Sequence, residues 1–161
     1  MKFNYYGFKA IYVHEMNRFY RTVGQSLLSP VISTSLYFVV FGSVIGGYIQ
    51  KIDGVSYGSY IVPGLLMLTL LTQSISNTSF GIFFPKFNGT INEILAAPIS
   101  TLETVLAFVG AGATKTLIVG TVIYITATFF AEVSVEYPML MIFLLVLVSF
   151  TFALFGFLIG V

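Results

Sequence analysis

Four apolar runs, at 27–48, 60–84, 104–130 and 139–161, decide what this chain can fold into. Each is long enough for the roughly 20 helical residues that cross a bilayer, and each carries at most one charge. The composition removes the soluble alternative: 57% of the 161 residues are hydrophobic and 8% charged, against about 45–50% and about 25% in soluble domains. Too few polar side chains exist to face water, whereas lipid solvates Leu, Ile, Val and Phe on the outside of a bundle. Period-2 alternation with a polar inner face is absent, so helices rather than strands are predicted. The fold expected is an all-α integral membrane protein with transmembrane helices TM1 (27–48), TM2 (60–84), TM3 (101–130) and TM4 (139–161). Pro30 and Pro63 are expected in first turns, where a missing N–H is harmless.

The basic residues orient the bundle. Lys2, Lys9, Arg18 and Arg21 precede TM1 and Lys86 lies between TM2 and TM3, while the other two loops hold only Lys51. A cytoplasmic N-terminus follows, with loops 49–59 and 131–138 outside. Ahead of TM1, Phe8, Tyr12, Met16, Phe19, Val23 and Leu27 share one helical face and His14, Arg18, Arg21 and Gln25 the other, which predicts an interfacial amphipathic helix over 4–25. A signal peptide fits less well: charges run throughout this segment and no small-residue cleavage site follows TM1.

The loop after TM2 is the most informative. Thr90 and Glu93 have capping-box spacing ahead of Ile94-Leu95-Ala96-Ala97, Pro98 ends the short helix, and Ser100 with Glu103 forms a second box that starts TM3. Ile91, Ile94 and Leu95 share one side of this 88–98 segment and need cover, from lipid headgroups or from another protein.

Little conventional chemistry is available. There is no cysteine, no P-loop and one histidine, His14, which sits on the polar face. Six dispersed acids make no catalytic constellation, so intramembrane catalysis is not expected. A net charge of +1 with scattered basic residues excludes a nucleic-acid partner. Lys115 is the one charge deep in a span, about 15 Å beyond Val105 at helical rise. It costs about 2.5–3.5 kcal/mol in hydrocarbon and must therefore face protein or water. The TM2–TM3 hairpin is expected to bring it level with 69–73, approaching Gln73 or its neighbours, where the polar run Ser74, Ser76, Asn77, Thr78 and Ser79 begins. Gln73, Asn77 and Lys115 are the candidates to border a translocation path, ordinary interhelical hydrogen bonding being the simpler use. Gly42 and Gly46, Gly110 and Gly112, and Gly156 and Gly160 offer close helix packing, within the chain or with a second copy.

Together these pieces resemble the ABC-2 type permease family, especially bacterial drug and polysaccharide exporters. The resemblance runs along the whole chain and is clearest at Ser29-Pro30, Tyr60-Ile61-Val62-Pro63-Gly64, Asn92-Glu93-Ile94-Leu95-Ala96-Ala97-Pro98 and Val109-Gly110-Ala111-Gly112. It implies a connecting helix followed by six membrane helices, of which four are present, so the sequence is expected to be an N-terminal portion. It further implies that the 88–98 helix couples to a separate ATPase. In that role Ile91, Ile94 and Leu95 would enter a groove, Lys86 and Glu93 would make rim contacts, and Pro98 would end the helix.

What the resemblance implies is a permease subunit in the inner membrane that exports a drug, lipid or glycan. Two ATPase copies would hold the ATP and magnesium, a second permease copy, identical or different, would complete the path, and this chain would carry no cofactor. Two other classes stay open. A secondary transporter would need acids inside the spans, and the sequence places none there. A purely structural subunit would leave Lys115 and the TM2 polar run fully satisfied by neighbours.

Overall fold

The computed structural model describes residues 3–45, 51–52, 55–131 and 135–161. In chain order come α1 (Tyr5–Arg21), α2 (Val23–Tyr37), a π-helical continuation (Phe38–Ile45), β1 (Lys51–Ile52), β2 (Val55–Ser56), α3 (Tyr57–Phe87), α4 (Ile91–Ala96), α5 (Thr101–Ala127) and α6 (Pro138–Gly160). Among the described residues the only β pairing is the two-residue antiparallel ladder of β1 and β2, with Lys51 opposite Ser56 and Ile52 opposite Val55. Four helical stretches are long and apolar enough to cross a membrane: Val23–Gly42, Tyr57–Phe87, Thr101–Ala127 and Pro138–Gly160. The bundle is therefore an all-α membrane fold.

The helices begin and end where local chemistry allows. Asn4 caps α1 by accepting from the Gly7 N–H (3.1 Å), and Ser56 caps α3 by accepting from Ser59 N–H (3.3 Å). At α5 the capping box is complete: Ser100 Oγ accepts from Glu103 N–H and Glu103 Oε2 accepts from Ser100 N–H (2.9 Å). The Thr90–Glu93 box expected at α4 does not form. Thr90 already has helical backbone angles, so its hydroxyl turns back to the Pro85 carbonyl, and Gly89 at φ 76° makes the turn instead. Pro30 and Pro63 lie inside α2 and α3, not in first turns, because both helices start earlier than the apolar runs. Tyr48, the expected end of TM1, lies outside the described residues.

α5 is the axis. It buries thirteen residues and packs against α1, α2, α3 and α6. Gly112 and Gly120 let α3 approach: a Cβ at Gly112 would collide with the Thr78 hydroxyl, and one at Gly120 would come within 2.7 Å of Leu70. α6 buries a stripe of small residues, Ser149, Ala153, Gly156 and Gly160; Ala153 packs on Val109 and Ala113 of α5, and the two glycines meet α3. A Cβ at Gly156 would lie 2.5 Å from the Ile75 carbonyl oxygen, and one at Gly160 2.8 Å from that of Ser79. Lipid offers no hydrophobic drive to join helices, so close backbone approach supplies the packing attraction.

α1 lies along α5 in the same direction. Asn4 sits at Glu103, Ile11 packs with Ala107 and Phe108, and Phe19 packs with Val119 and Ile123. Its buried face is Ile11, Glu15, Met16 and Phe19, rotated from the predicted apolar face by the inclusion of an acid; Phe8 and Tyr12 are only half-buried. Asn4 Nδ2 also donates to the Pro98 carbonyl (3.1 Å), which puts the start of α1 and the α4 segment at the same end of the bundle.

Candidate functional site

The polar centre of the bundle forms where α1, α3 and α5 meet. Lys115 Nζ donates to Glu15 Oε2 at 2.7 Å, and Arg18 Nη2 reaches the same oxygen at 2.9 Å from one turn further along α1. Glu15 and Lys115 are almost wholly buried, whereas Arg18 is half-buried. Gly81 of α3 closes the back: a Cβ there would sit 3.3 Å from Glu15 Oε2. One carboxylate thus serves two cations. A buried charge persists only when paired, so α1 and α5 are joined by a contact from which Glu15 cannot be removed alone without stranding Lys115. A turn earlier, Tyr12 OH donates to Thr114 Oγ1 (3.0 Å).

Beside this pair lies a cavity of about 170 Å³ lined by Arg18, Phe19, Thr22, Ser26, Ser76, Asn77, Phe80 and Lys115. Thr22, Ser76 and Phe80 are exposed, so it opens on the flank of the bundle. Asn77 Nδ2 donates to Gln73 Oε1 (3.5 Å) one turn away. Lys115 and Asn77 therefore share a cavity, while Gln73 stands outside its wall.

Two expectations need correcting here. Lys115 is engaged by Glu15 and not by Gln73, because a carboxylate outcompetes a neutral amide for a buried ammonium, while Gln73's neighbours Ser76 and Asn77 line the cavity beside it. The hairpin register, fixed by Gly112 at Thr78 and Gly120 at Leu70, sets Lys115 level with Ile75 and not with 69–73. The spans themselves hold no acid beyond Glu103 in the first turn of α5; the acid inside the bundle comes from α1, which sets Glu15 against Lys115. Sequence reading missed Glu15, and treated Arg18 only as a topology signal. The available signal was an acid four residues from both Ile11 and Phe19, on the apolar side of α1.

The other candidates distribute as follows. On α4, Leu95 points outward at 74% exposure and Glu93 is exposed. Ile91 is half-buried, and Ile94 packs inward on Ile11, Ile82 and Phe108. Ile94 is thus partly taken up by the chain's own core. Lys86 donates to the carbonyl oxygens of Gly160 (3.5 Å) and Val161, at the end of α6. Pro98 is exposed and its carbonyl is taken by Asn4. Of the glycines, Gly112, Gly156 and Gly160 lie in tight helix contacts and Gly110 faces Tyr12 at 3.9 Å. Gly42 has nothing within 4 Å, and Gly46 lies outside the described residues.

The family model for the ABC-2 type transporter matches residues 6–161. The chain belongs to the ABC-2 type transporter family. It is 37% identical over 153 residues to the inner membrane transport permease YadH of Escherichia coli K12, and equally to the proteins of that name from Escherichia coli O157:H7 and Shigella flexneri. These matches cover 95% of this chain and 60% of each relative, so the chain spans about three fifths of their length. No solved structure matches it. An inner-membrane relative and four helices able to span a bilayer place this ABC-2 chain in the inner membrane. Its polar centre is built on α1, α3 and α5 and not on α6, whose buried face is all small residues.

Proposed function

We propose that the chain is the permease part of an ATP-driven exporter, with the α3 flank around Asn77 and Lys115 bordering the path of a drug, lipid or glycan. The observation that carries this reading is the family match across residues 6–161, on a fold that sets a lysine beside a flank cavity within the spans. ATP and magnesium belong to two copies of a separate ATPase, since the sequence has no P-loop, and this chain holds no cofactor and catalyses nothing itself. A second permease copy, identical or different, completes the path. The end carrying the start of α1 and α4 faces the cytosol, the side on which the basic residues ahead of the first span and Lys86 fall in the sequence.

Coupling to the ATPase runs through α4, with Leu95 as the outward anchor and Glu93 and Pro98 beside it. Ile94 serves as the inward hinge that passes the push to Phe108 on α5. Lys86, bound to the end of α6, and the half-buried Ile91 flank the short helix.

Reconstitution of the full-length protein with its cognate ATPase tests the reading. Lys115→Leu should cut ATP-driven export about tenfold or more while the amount inserted stays the same. Leu95→Asp should release the ATPase without changing insertion. Export that persists with the ATPase omitted would sink the proposal. That outcome would favour an ion-coupled carrier, for which the buried Glu15 supplies the acid such a carrier needs.

A further inference from the structure

The flank cavity has walls of one charge sign. Arg18 and Lys115 line it, and Glu15, which pairs with both, does not; no other acid is among the lining residues. Arg and Lys offer five and three N–H donors respectively. Each of these two meets Glu15 Oε2, and no second carboxylate stands among the lining residues. Two cations against one carboxylate leave a single uncompensated positive charge, which is costly away from water. The rest of the wall adds the hydroxyls of Thr22, Ser26 and Ser76 and the amide of Asn77, with Phe19 and Phe80 at its sides. The occupant that fits is rich in acceptor oxygens and carries negative charge.

The setting narrows the choice further. Ser76 to Phe80 lie about 10–16 Å along the axis from the end of α3 at Phe87, on a flank whose neighbouring side chains Phe80, Phe83 and Phe84 are exposed. A polar notch opening in an apolar flank suits a molecule with an anionic head and a hydrocarbon body. A second copy of this chain has no carboxylate to offer at that depth. Glu103 is held by Asn4 and Ser100, Glu93 is on α4, and Asp53, Glu132 and Glu136 lie between spans in the sequence.

We infer that this notch binds the phosphodiester head of an anionic membrane lipid, with Arg18 and Lys115 as the contacting cations and Asn77 and Ser76 as hydrogen-bonding partners. That the bound lipid is also cargo rests on the permease reading above; the binding itself does not.

The full-length protein in detergent, titrated with phosphatidylglycerol and followed by native mass spectrometry, tests the inference. Binding should exceed that of diacylglycerol, which lacks the phosphate, by about tenfold. Millimolar inorganic phosphate should fail to displace the lipid; full displacement would mean a soluble anion site and overturn the inference. Arg18→Gln should lower binding about fivefold or more, and Arg18→Lys, which keeps the charge, should restore part of it. Unchanged lipid binding in Arg18→Gln would refute the site. Disulfide formation between two copies through Ser76→Cys, undiminished by added lipid, would mean that protein fills the notch and would equally refute it. Lipid binding without ATP-driven lipid movement in the reconstituted complex would uphold the site and count against the permease reading. Export of another cargo with no lipid binding would do the reverse.

Discussion

α5 and α6 are both apolar helices of one bundle, yet they are solvated in opposite ways. α5 buries thirteen residues, including Glu103, Lys115 and Thr116, and touches four other helices. α6 buries four, all small, and turns Leu, Ile, Phe and Met outward over most of its surface. In water the more hydrophobic helix would be the inner one. In lipid the order inverts: large apolar side chains face the solvent, while small and polar ones face protein. The polar content of a span therefore marks what it packs against, and α5 is polar because α1 supplies its partner.

The contrast predicts different kinds of damage. On α5's side the sensitive element is charge, and the largest effect belongs to Glu15→Leu, which strands a buried Lys115 and should destabilise the bundle by about 3–5 kcal/mol in a detergent unfolding assay. Lys115→Leu should cost clearly less, because Arg18 still pairs with Glu15, and the double variant should recover most of the loss. Equal losses from both single variants would mean that the pair is not shared as described. On α6's side the sensitive element is volume: Gly156→Val drives a side chain into the Ile75 carbonyl and should cost about 1–3 kcal/mol.

Smaller effects refine the picture. Ser100→Ala removes the cap of α5 and should lower stability by about 1 kcal/mol, read as the same unfolding midpoint shift. Gly42→Ala should change stability by no more than about 0.5 kcal/mol, since its Cβ would meet open space within the chain. If Gly42→Ala instead disrupted assembly of the complex, that face of the first span would be in contact with a second copy.

The spans were legible because lipid demands long apolar helices, and the Ser100–Glu103 box was legible because a cap is a local motif. Three features were not. The Thr90–Glu93 pattern has the same spacing as a capping box, but Gly89 had already taken the turn. Ile94 and Leu95 share an apolar side in sequence, and only packing separates them, one against Phe108 and the other outward. Glu15 pairs with a residue 100 positions away, and no periodicity within α1 reports a partner at that distance. Local chemistry was readable; long-range pairing of charges was not.

That separation also has a consequence for how the chain is made. At about 5–20 residues per second of synthesis, roughly 5–20 s pass between the appearance of Glu15 and that of Lys115, 100 residues later. Throughout that interval the carboxylate has only Arg18 on its own helix, and the first two spans are already emerging. The seat of α1 on α5 through this pair can therefore form only after the first two spans have been made.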